Sequence, residues 1–485
     1  MTTQQLEAPT GRAATATSRE GRTPQRGVRP GAVLTVLLIA QLMAILDVNI
    51  VNVAGATIRT DLHSGGAGLQ MIISGYTMTY AILLITGARV GGIWGHRATF
   101  IAGLAGFTLA SLACGLAPDS GWLVGFRLVQ GAAAAFMIPQ VFSLIQRHFS
   151  GAARVRALGR YAAVIASGIV LGQVLGGVLV DSNLFGTGWR PIFWINVPVG
   201  LIALVAAVRV LPADSPAEGT RRLDGIGLVT LAATVCAFVV PLILGHQEGW
   251  PLWIWLLLAV SVVLFAMFAL VQRRVAAPLM PSRVVRARGM LPALAAIFLM
   301  MGGYAGLLFS LALHLQTGLR FSPLHAGLMF VPVAASFGLA SLNWQRVPAR
   351  WHRTMIVTGL AVAAVCTVLT MVSLRGTGEP GALFYIAQVP YGLASGVVFS
   401  PLMNAALATV APRDAPDASG LVTTVLQICQ VVGVATIGSL YLALVAHHTA
   451  AYAVDRALLA SAVACLVAAV AAFLIPAAKH APMSQ

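Results

Sequence analysis

The sequence predicts an all-α polytopic membrane protein with fourteen transmembrane helices. Of its 485 residues, 58% are hydrophobic and only 9% are charged, which is typical of chains that lie in a bilayer. Apolar runs of about 20 residues, the length needed to cross a hydrocarbon core, recur fourteen times. Arginines collect in alternate connections between the runs, which indicates that the chain crosses the membrane back and forth.

The predicted spans follow one another along almost the whole chain. Their approximate bounds are 32–54, 69–90, 98–117, 121–145, 158–181, 191–211, 223–244, 252–272, 290–313, 324–345, 354–374, 382–410, 418–446 and 454–476. Residues 1–30 are rich in Ala, Thr, Gly and Arg without apolar periodicity, so we expect a disordered cytoplasmic tail there, and a short one at 477–485. The first span follows arginines as a signal peptide would, but Asp47 interrupts its apolar run.

The distribution of arginines predicts the orientation of the chain. One set of connections carries clusters such as Arg154, Arg156 and Arg160, whereas the opposite loops hold single arginines. Those single residues are Arg59, Arg190, Arg320, Arg375 and Arg456. Because cytoplasmic loops are enriched in arginine, we expect both termini in the cytoplasm. The scarcity of Lys beside many Arg, with heavy use of Ala, Gly and Val, suggests a GC-rich bacterial genome, so we expect a protein of the bacterial inner membrane.

An internal repeat divides the spans into two groups. Corresponding residues are Arg89, Val90, His96 and Arg97 with Arg346, Val347, His352 and Arg353, and Arg127, Gly131 and Pro139 with Gln388, Gly392 and Pro401. The offset of eight helices predicts two six-helix bundles, at 31–212 and 276–476, separated by two inserted helices at 213–275. Parallel six-helix repeats are the architecture of the major facilitator fold, in which the transport site lies between the halves.

Asp47 is the leading candidate for a functional residue. It is the only acid well inside a predicted span, where a charge costs at least about 2.5 to 3.5 kcal/mol. Asn49 and Asn52 project in other directions, so the first helix is polar over a wide arc and must line a protein interior. A carboxyl group removed from water binds a proton more readily, which favours Asp47 as a proton carrier. The alternative is an Asp that only bonds a neighbouring helix.

Arg127 is a second charge inside the predicted membrane region. Its guanidinium needs acceptors, and pairing with a carboxylate would lower the cost and could tune proton release. Alternatively, it is an interfacial arginine whose side chain extends outward to water. Because the repeat places Gln388 at the corresponding position, we expect proton coupling in the N-terminal half and substrate contacts mainly in the other half.

Glycines in the fifth helix predict a close helix contact. Gly168, Gly172 and Gly176 form one stripe with Gly177 beside it, and small residues let helix backbones approach. Ala334 and Gly338 in the tenth helix could form the facing strip. Ordinary close packing is the alternative to a gate.

Polar and aromatic residues inside the spans could line a substrate cavity. The candidates are Asn49, Asn52, Tyr76, Tyr80, Gln130, Gln140, His314 and Gln316. Apolar walls with a few polar groups suit lipophilic ligands, although each residue could equally serve packing.

Several other classes of protein are unsupported by the sequence. No G-x-x-x-x-G-K-[ST] motif occurs, which argues against an ATP-driven pump, and no nucleophile with base and orienter emerges, so we expect no enzyme and no cofactor. The five cysteines lack CxxC spacing, so no metal site is expected. The net charge of +16 reflects arginines in loops, so nucleic acid is not an expected partner.

Several motifs together point to a family. They are LDVNIVNVA at 46–54, GLQMIISGYTMTYA at 68–81, ARVGGIWGHR at 88–97, RLVQG at 127–131, GIVLGQVLGG at 168–177 and WRPIFWINVP at 189–198. With these the chain resembles the fourteen-helix drug:proton antiporters of the major facilitator superfamily, the EmrB/QacA-like branch.

The resemblance also implies which residues act as gates. It assigns gating to the fifth-helix glycines and to the loop between helices 2 and 3, with Arg89, Gly95, His96 and Arg97. The chain departs from the family pattern at Gly92 and Ile93, where an Asp and an Arg are usual, and at Gln173, where a Pro is usual.

These observations predict a proton-coupled exporter of lipophilic small molecules such as drugs, antibiotics or secondary metabolites. Protons, the small-molecule substrate and the bilayer are the expected partners, and we expect a monomer. A facilitator that imports a metabolite is one alternative, because it would need neither Asp47 nor the helix 5 motif. A non-transporting membrane sensor or scaffold is another, since the helix 2 to 3 loop has lost its family charges.

Overall fold

The structure is a computed structural model that describes residues 30–213, 224–275, 278–375, 380–407, 410 and 414–475. Apart from Pro30, the predicted tails at 1–30 and 477–485 lie outside these residues.

Fourteen helices in the described ranges are long and apolar enough to cross a membrane, and no strand occurs there, which confirms the predicted fold class. We number them α1 (Pro30–Asp61), α2 (Gly66–Trp94), α3 (His96–Gly115), α4 (Ser120–His148), α5 (Gly151–Asp181), α6 (Pro191–Val210), α7 (Gly225–Leu244), α8 (Leu252–Arg274), α9 (Met290–Gly318), α10 (Pro323–Arg346), α11 (His352–Ser373), α12 (Ala382–Leu407), α13 (Asp417–Val445) and α14 (Ala450–Phe473).

Local sequence signals set several helix ends. Asp119 caps α4, because its carboxylate accepts hydrogen bonds from the backbone N–H groups of Gly121 and Trp122 at 2.8 and 3.0 Å. Gly95 separates α2 from α3 with φ of +95°, a conformation that favours glycine. This glycine lets the two helices follow each other without a longer loop.

Glycines bring helices to backbone contact in both groups of six. A Cβ at Gly131 of α4 would lie 2.2 Å from the Tyr76 carbonyl oxygen of α2. In the second group, a Cβ at Gly392 of α12 would lie 2.3 Å from the Val333 carbonyl oxygen of α10. The contact at Gly131 holds α4 at a fixed depth against α2. The side chains of Arg127 and Gln130, which come shortly before Gly131 on α4, are held at that depth with it.

The repeat is also visible where α3 and α11 begin. Arg97 donates to the Val208 carbonyl near the end of α6 at 2.6 Å, and Arg353 donates to the Phe473 carbonyl at the end of α14. A cation near a helix C-terminus is favourable because unsatisfied carbonyl groups collect there. Corresponding residues thus make corresponding contacts in α1–α6 and α9–α14.

The two groups meet on the side opposite the arginine-rich connections. Gln70 of α2 donates to the Val434 carbonyl of α13 at 3.0 Å, and its Oε1 accepts from the Ser439 hydroxyl at 3.1 Å. The same hydroxyl lies 3.1 Å from the Leu242 carbonyl of α7. The inserted helix α7 therefore takes part in this contact, next to a π-helical segment of α13 at Val434–Gly438.

Candidate functional site

Asp47 is buried near the middle of α1 and forms an ion pair with Arg127 of α4. The side chain of Arg127 is 1% exposed and that of Asp47 is 0% exposed. Burying either charge alone would cost several kcal/mol, so the pairing is what makes both tolerable at this depth. It also excludes the alternative in which Arg127 extends outward to water.

Neutral polar side chains complete the surroundings of the carboxylate. Gln130 Nε2 donates to Asp47 Oδ1 over 2.8 Å, and Asn196 Nδ2 donates to the same oxygen over 3.1 Å. Both amide nitrogens also lie near Ser111 Oγ, at 2.7 and 3.3 Å. The carboxylate faces donors from α4 and α6, an arrangement suited to its ionised form.

Arg127 is fixed by groups other than its carboxylate partner. Its Nε donates to the Ile72 carbonyl of α2 at 3.1 Å, and its Nη1 donates to Gln130 Oε1 at 2.7 Å. Its guanidinium carbon lies 4.5 Å from the centre of the Tyr76 ring, a favourable cation–π contact. Because Tyr76 also lines the central cavity, its ring connects the cavity wall to the ion pair.

A central cavity of about 1100 Å³ lies beside this cluster and reaches the arginine-rich side of the molecule. Helices of both groups line it, and its size and mixed lining suit a drug-sized ligand. Six residues predicted for substrate binding or gating lie on its wall: Asn49, Asn52, Tyr76, Tyr80, Arg89 and His96.

Four residues predicted for the cavity lie elsewhere, which corrects that part of the prediction. Gln130 belongs to the Asp47 cluster, and Gln140 bonds His96 and the backbone of α2. Gln316 of α9 donates to the Val53 carbonyl of α1 at 2.9 Å on the side opposite the arginines. His314 is buried where the end of α9 packs against α14. Neighbouring helices enclose each of these four polar side chains. The polarity of a residue in a membrane helix does not indicate whether it will face the cavity or be enclosed in this way.

Hydrogen bonds hold the connection between α2 and α3 in place, although Gly92 and Ile93 stand where the family usually has an Asp and an Arg. Gln140 Oε1 lies 2.7 Å from His96 Nδ1, and Gln140 Nε2 donates to the Gly87 carbonyl at 2.9 Å. Arg89 donates to the Pro278 carbonyl, on the chain that leads into α9. These hydrogen bonds, from an amide and from Arg89, therefore hold the connection in the absence of the Asp and Arg that are usual at Gly92 and Ile93.

The glycine stripe of α5 has a different partner from the one expected. A Cβ at Gly168 or at Gly176 would lie within about 3 Å of Ile45 or Ile50, and one at Gly172 within 2.6 Å of the Asn49 Cβ, all on α1. These three glycines therefore pack against α1 inside their own group, as in the alternative of ordinary close packing, and not against the strip at Ala334 and Gly338.

Gly177, beside the stripe, is the glycine that faces the other group. A Cβ there would lie 2.4 Å from the Leu324 Cα, and one at Gly327 would lie 2.4 Å from the Gln173 carbonyl oxygen. The close contact between α5 and α10 thus rests on Gly177 and Gly327, and it includes the backbone at the family departure Gln173.

Sequence reasoning missed two members of the Asp47 cluster. Asn196 lies in the WRPIFWINVP element at 189–198, which served only to recognise the family, and no motif marked Ser111. Neutral polar residues are common inside membrane helices, so their presence alone does not distinguish a carboxylate partner from a packing residue.

A family model described as Major Facilitator Superfamily matches residues 37–434. The chain belongs to the Major Facilitator Superfamily. This membership agrees with the helix count and with the cavity between two groups of helices.

Two relatives within the superfamily bear names that indicate their roles. A probable actinorhodin transporter of Streptomyces coelicolor is 34% identical over 443 residues, which cover 90% of this chain and 76% of the relative. A methylenomycin A resistance protein of the same species is 33% identical over 419 residues, covering 85% and 86%.

A solved structure shows the same fold at lower identity. A bacterial homolog of the human lysosomal transporter Spinster, in an inward-facing and occupied conformation, matches with a TM-score of 0.67 and 16% identity, over 93% of this chain and 97% of that one.

Proposed function

We propose that this protein is a proton-coupled exporter that moves lipophilic small molecules, including antibiotic secondary metabolites, out of a bacterial cell. The names of the two Streptomyces relatives support the substrate class. The single observation that carries the mechanism is the buried Asp47–Arg127 pair, because a structural packing role does not require an ionised carboxylate at this depth.

The orientation is part of the proposal. The arginine-rich side is taken as cytoplasmic, in line with the positive-inside rule, which places both termini in the cytoplasm. The cavity then faces the cytoplasm, and the contacts at Gln70, Gln316 and Gly177 close the outer side. The bundles at 31–212 and 276–476 would rock about this cavity as a monomer, with 213–275 as the inserted pair.

Proton and substrate movements are linked through the ion pair. In the cytoplasm-facing state, Arg127, Gln130 and Asn196 all bond the carboxylate of Asp47, which corresponds to a proton already released. A proton arriving from outside neutralises Asp47 and weakens its attraction to Arg127, which favours return to this state. A substrate that contacts Tyr76 would act on Arg127 through the Tyr76 ring, which lies between the cavity and the ion pair.

The test is substrate-driven proton flux in proteoliposomes with tetracenomycin C, the compound in the name of a third relative, as the probe. Wild-type protein should release protons when a substrate is added, and Asp47→Asn should not. Asp119→Asn is the matched control, because it removes one acid while Asn caps α4 as well as Asp does. Flux that survives collapse of the proton gradient would instead identify a facilitator, and absence of any substrate movement would favour the sensor or scaffold.

A further inference from the structure

Two amides on α1 present their oxygen atoms to the cavity. Asn49 Nδ2 donates to the Ile45 carbonyl at 2.7 Å, and Asn52 Nδ2 donates to the Val48 carbonyl at 3.1 Å. A carbonyl can only accept, so each NH₂ group must face its own helix and each Oδ1 must point away from it. Both residues line the cavity, so this wall offers two amide oxygens as hydrogen-bond acceptors.

The same reasoning sets the orientation of the Gln430 amide on the opposite wall of the cavity. Gln430 Nε2 of α13 donates to the Leu426 carbonyl at 3.1 Å and lies 3.4 Å from Gln427 Oε1. Gln430 therefore offers Oε1 to the cavity, whereas its neighbour Gln427 offers its NH₂ group. Acceptors thus reach the cavity from both groups of helices.

The wall around these amides carries no charge. The charged residues that line the cavity within the described ranges are Arg89, Arg283 and Asp417, and they lie at the arginine-rich mouth, where Arg283 and Asp417 are 4.0 Å apart. Asp47 is not on the cavity wall. A cation would find no carboxylate at depth, and an anion would meet acceptor oxygens.

A buried hydroxyl, which can accept as well as donate, adds to this wall, and aromatic rings supply part of its apolar surface. The hydroxyl of Ser74 on α2 lines the cavity and is buried without a hydrogen-bond partner among the described residues. Phe337 and Phe399 pack with ring centres 5.8 Å apart on the C-terminal side, where Tyr304 also lies. Flat rings can pack favourably against such a wall.

We propose that the deep part of this cavity selects uncharged molecules that carry several hydroxyl donors on an aromatic frame. This selectivity rests on the proposed export function, since it names the substrate class of the same cavity. The amide oxygens of Asn49, Asn52 and Gln430 accept hydrogen bonds from the ligand hydroxyls. A ligand without those hydroxyls would leave these acceptors unpaired in a buried site, which costs binding free energy.

A matched pair of ligands separates hydroxyl recognition from apolar burial. A trihydroxystilbene and its trimethyl ether share one frame and are both uncharged at pH 7, but the ether has no donors. Equilibrium binding to the full chain in lipid nanodiscs should favour the trihydroxystilbene by at least about tenfold. Equal affinity, tighter binding of the ether, or no binding of either compound would overturn the proposal.

Three variants locate the recognition. Asn52→Leu and Gln430→Met remove acceptors with little change of shape, and each should weaken binding of the trihydroxystilbene by about two- to tenfold while leaving the ether unchanged. Thr436→Val on the same helix is the control, because the Thr436 hydroxyl donates to the Val432 carbonyl at 2.7 Å and the residue is not part of the cavity wall, so the preference should stay intact. Unchanged ether binding shows that each variant is folded. A preference that persists in both acceptor variants would overturn the assignment.

Binding is measured without a proton gradient, so this test and the test of export fail separately. A protein that prefers the trihydroxystilbene yet releases no protons contradicts the coupling mechanism alone. A protein that couples export to protons yet binds both stilbenes equally contradicts the selectivity alone.

Discussion

The two groups of six helices pack alike, but among the residues that the structure describes only the first group has an ion pair at its centre. Gly131 and Gly392 hold corresponding helices at backbone contact, with a Cβ at either position 2.2 or 2.3 Å from a carbonyl oxygen. Four residues before each glycine, Arg127 pairs with Asp47, whereas Gln388 is buried with its Nε2 unpartnered among the described residues. Packing is thus the shared property of the two groups, and the chemistry at one position is what differs.

The largest effect should come from making the first group resemble the second. Arg127→Gln leaves Asp47 buried without its counter-charge, so stability should fall by about 3–5 kcal/mol. Substrate-driven proton flux should fall to background. Thermal unfolding and proton flux in proteoliposomes measure the two losses.

A double variant separates the charge from the packing. Asp47→Asn with Arg127→Gln removes both charges and should recover most of the lost stability without recovering proton flux. If Arg127→Gln alone is as stable as the wild type, the carboxylate is not held in its ionised form and the difference between the groups is not electrostatic.

Substitutions at Gly131 and Gly392 test the helix packing that the two groups share. Gly131→Ala and Gly392→Ala should each lower stability by about 1–3 kcal/mol, because the new methyl group meets a backbone carbonyl. Only Gly131→Ala should also lower proton flux, since it displaces the adjacent Gln130. Gly125→Ala on α4 is the control, because its Cβ would meet nothing within 4 Å. If the unfolding curve of Gly131→Ala matches that of the wild type, the close contact at Gly131 does not contribute to stability as proposed.

A smaller effect should distinguish contacts between the groups from contacts within one. Gln70→Leu removes two hydrogen bonds to α13 and should shift the equilibrium toward opening on the outer side by about tenfold. Ser341→Ala breaks the bond of 2.7 Å to Ser400 inside the second group and should not shift it. Distances between spin labels on α5 and α10 report the opening, and equal shifts in both variants would argue against a gate at Gln70.

The smallest effect concerns the paired arginines at α3 and α11. Arg97→Ala and Arg353→Ala each remove a donor to the end of another helix, and each should cost about 0.3–1 kcal/mol. Proton flux should be unchanged in Arg353→Ala, whereas Arg97→Ala also removes a residue predicted to gate transport and should lower the flux. Unequal losses, seen by thermal unfolding, would show that the two groups are not equivalent even in packing.

Much of the fold was predictable because hydropathy and arginine placement act over whole helices. Fourteen spans follow from apolar length alone, and Asp47 and Arg127 stand out because charges in hydrocarbon are expensive. Their pairing was left open, since a sequence does not say whether an arginine turns inward or outward.

Partners in space were less predictable than positions in sequence. The spacing of Gly168, Gly172 and Gly176 correctly indicates a close helix contact, but small residues carry no information about which helix approaches, and α1 proved to be the partner. Ser111 and Asn196 gave no signal because neutral polar groups acquire their role only when the fold brings them to a carboxylate.

The mechanism proposed here depends on Asp47 as the carrier of the proton that drives export. Inverted membrane vesicles with an imposed pH gradient test it, with radiolabelled substrate measured both as gradient-driven accumulation and as exchange without a gradient. Asp47→Asn should retain exchange but lose accumulation, whereas the wild type should show both. Accumulation by Asp47→Asn at the wild-type level would contradict it.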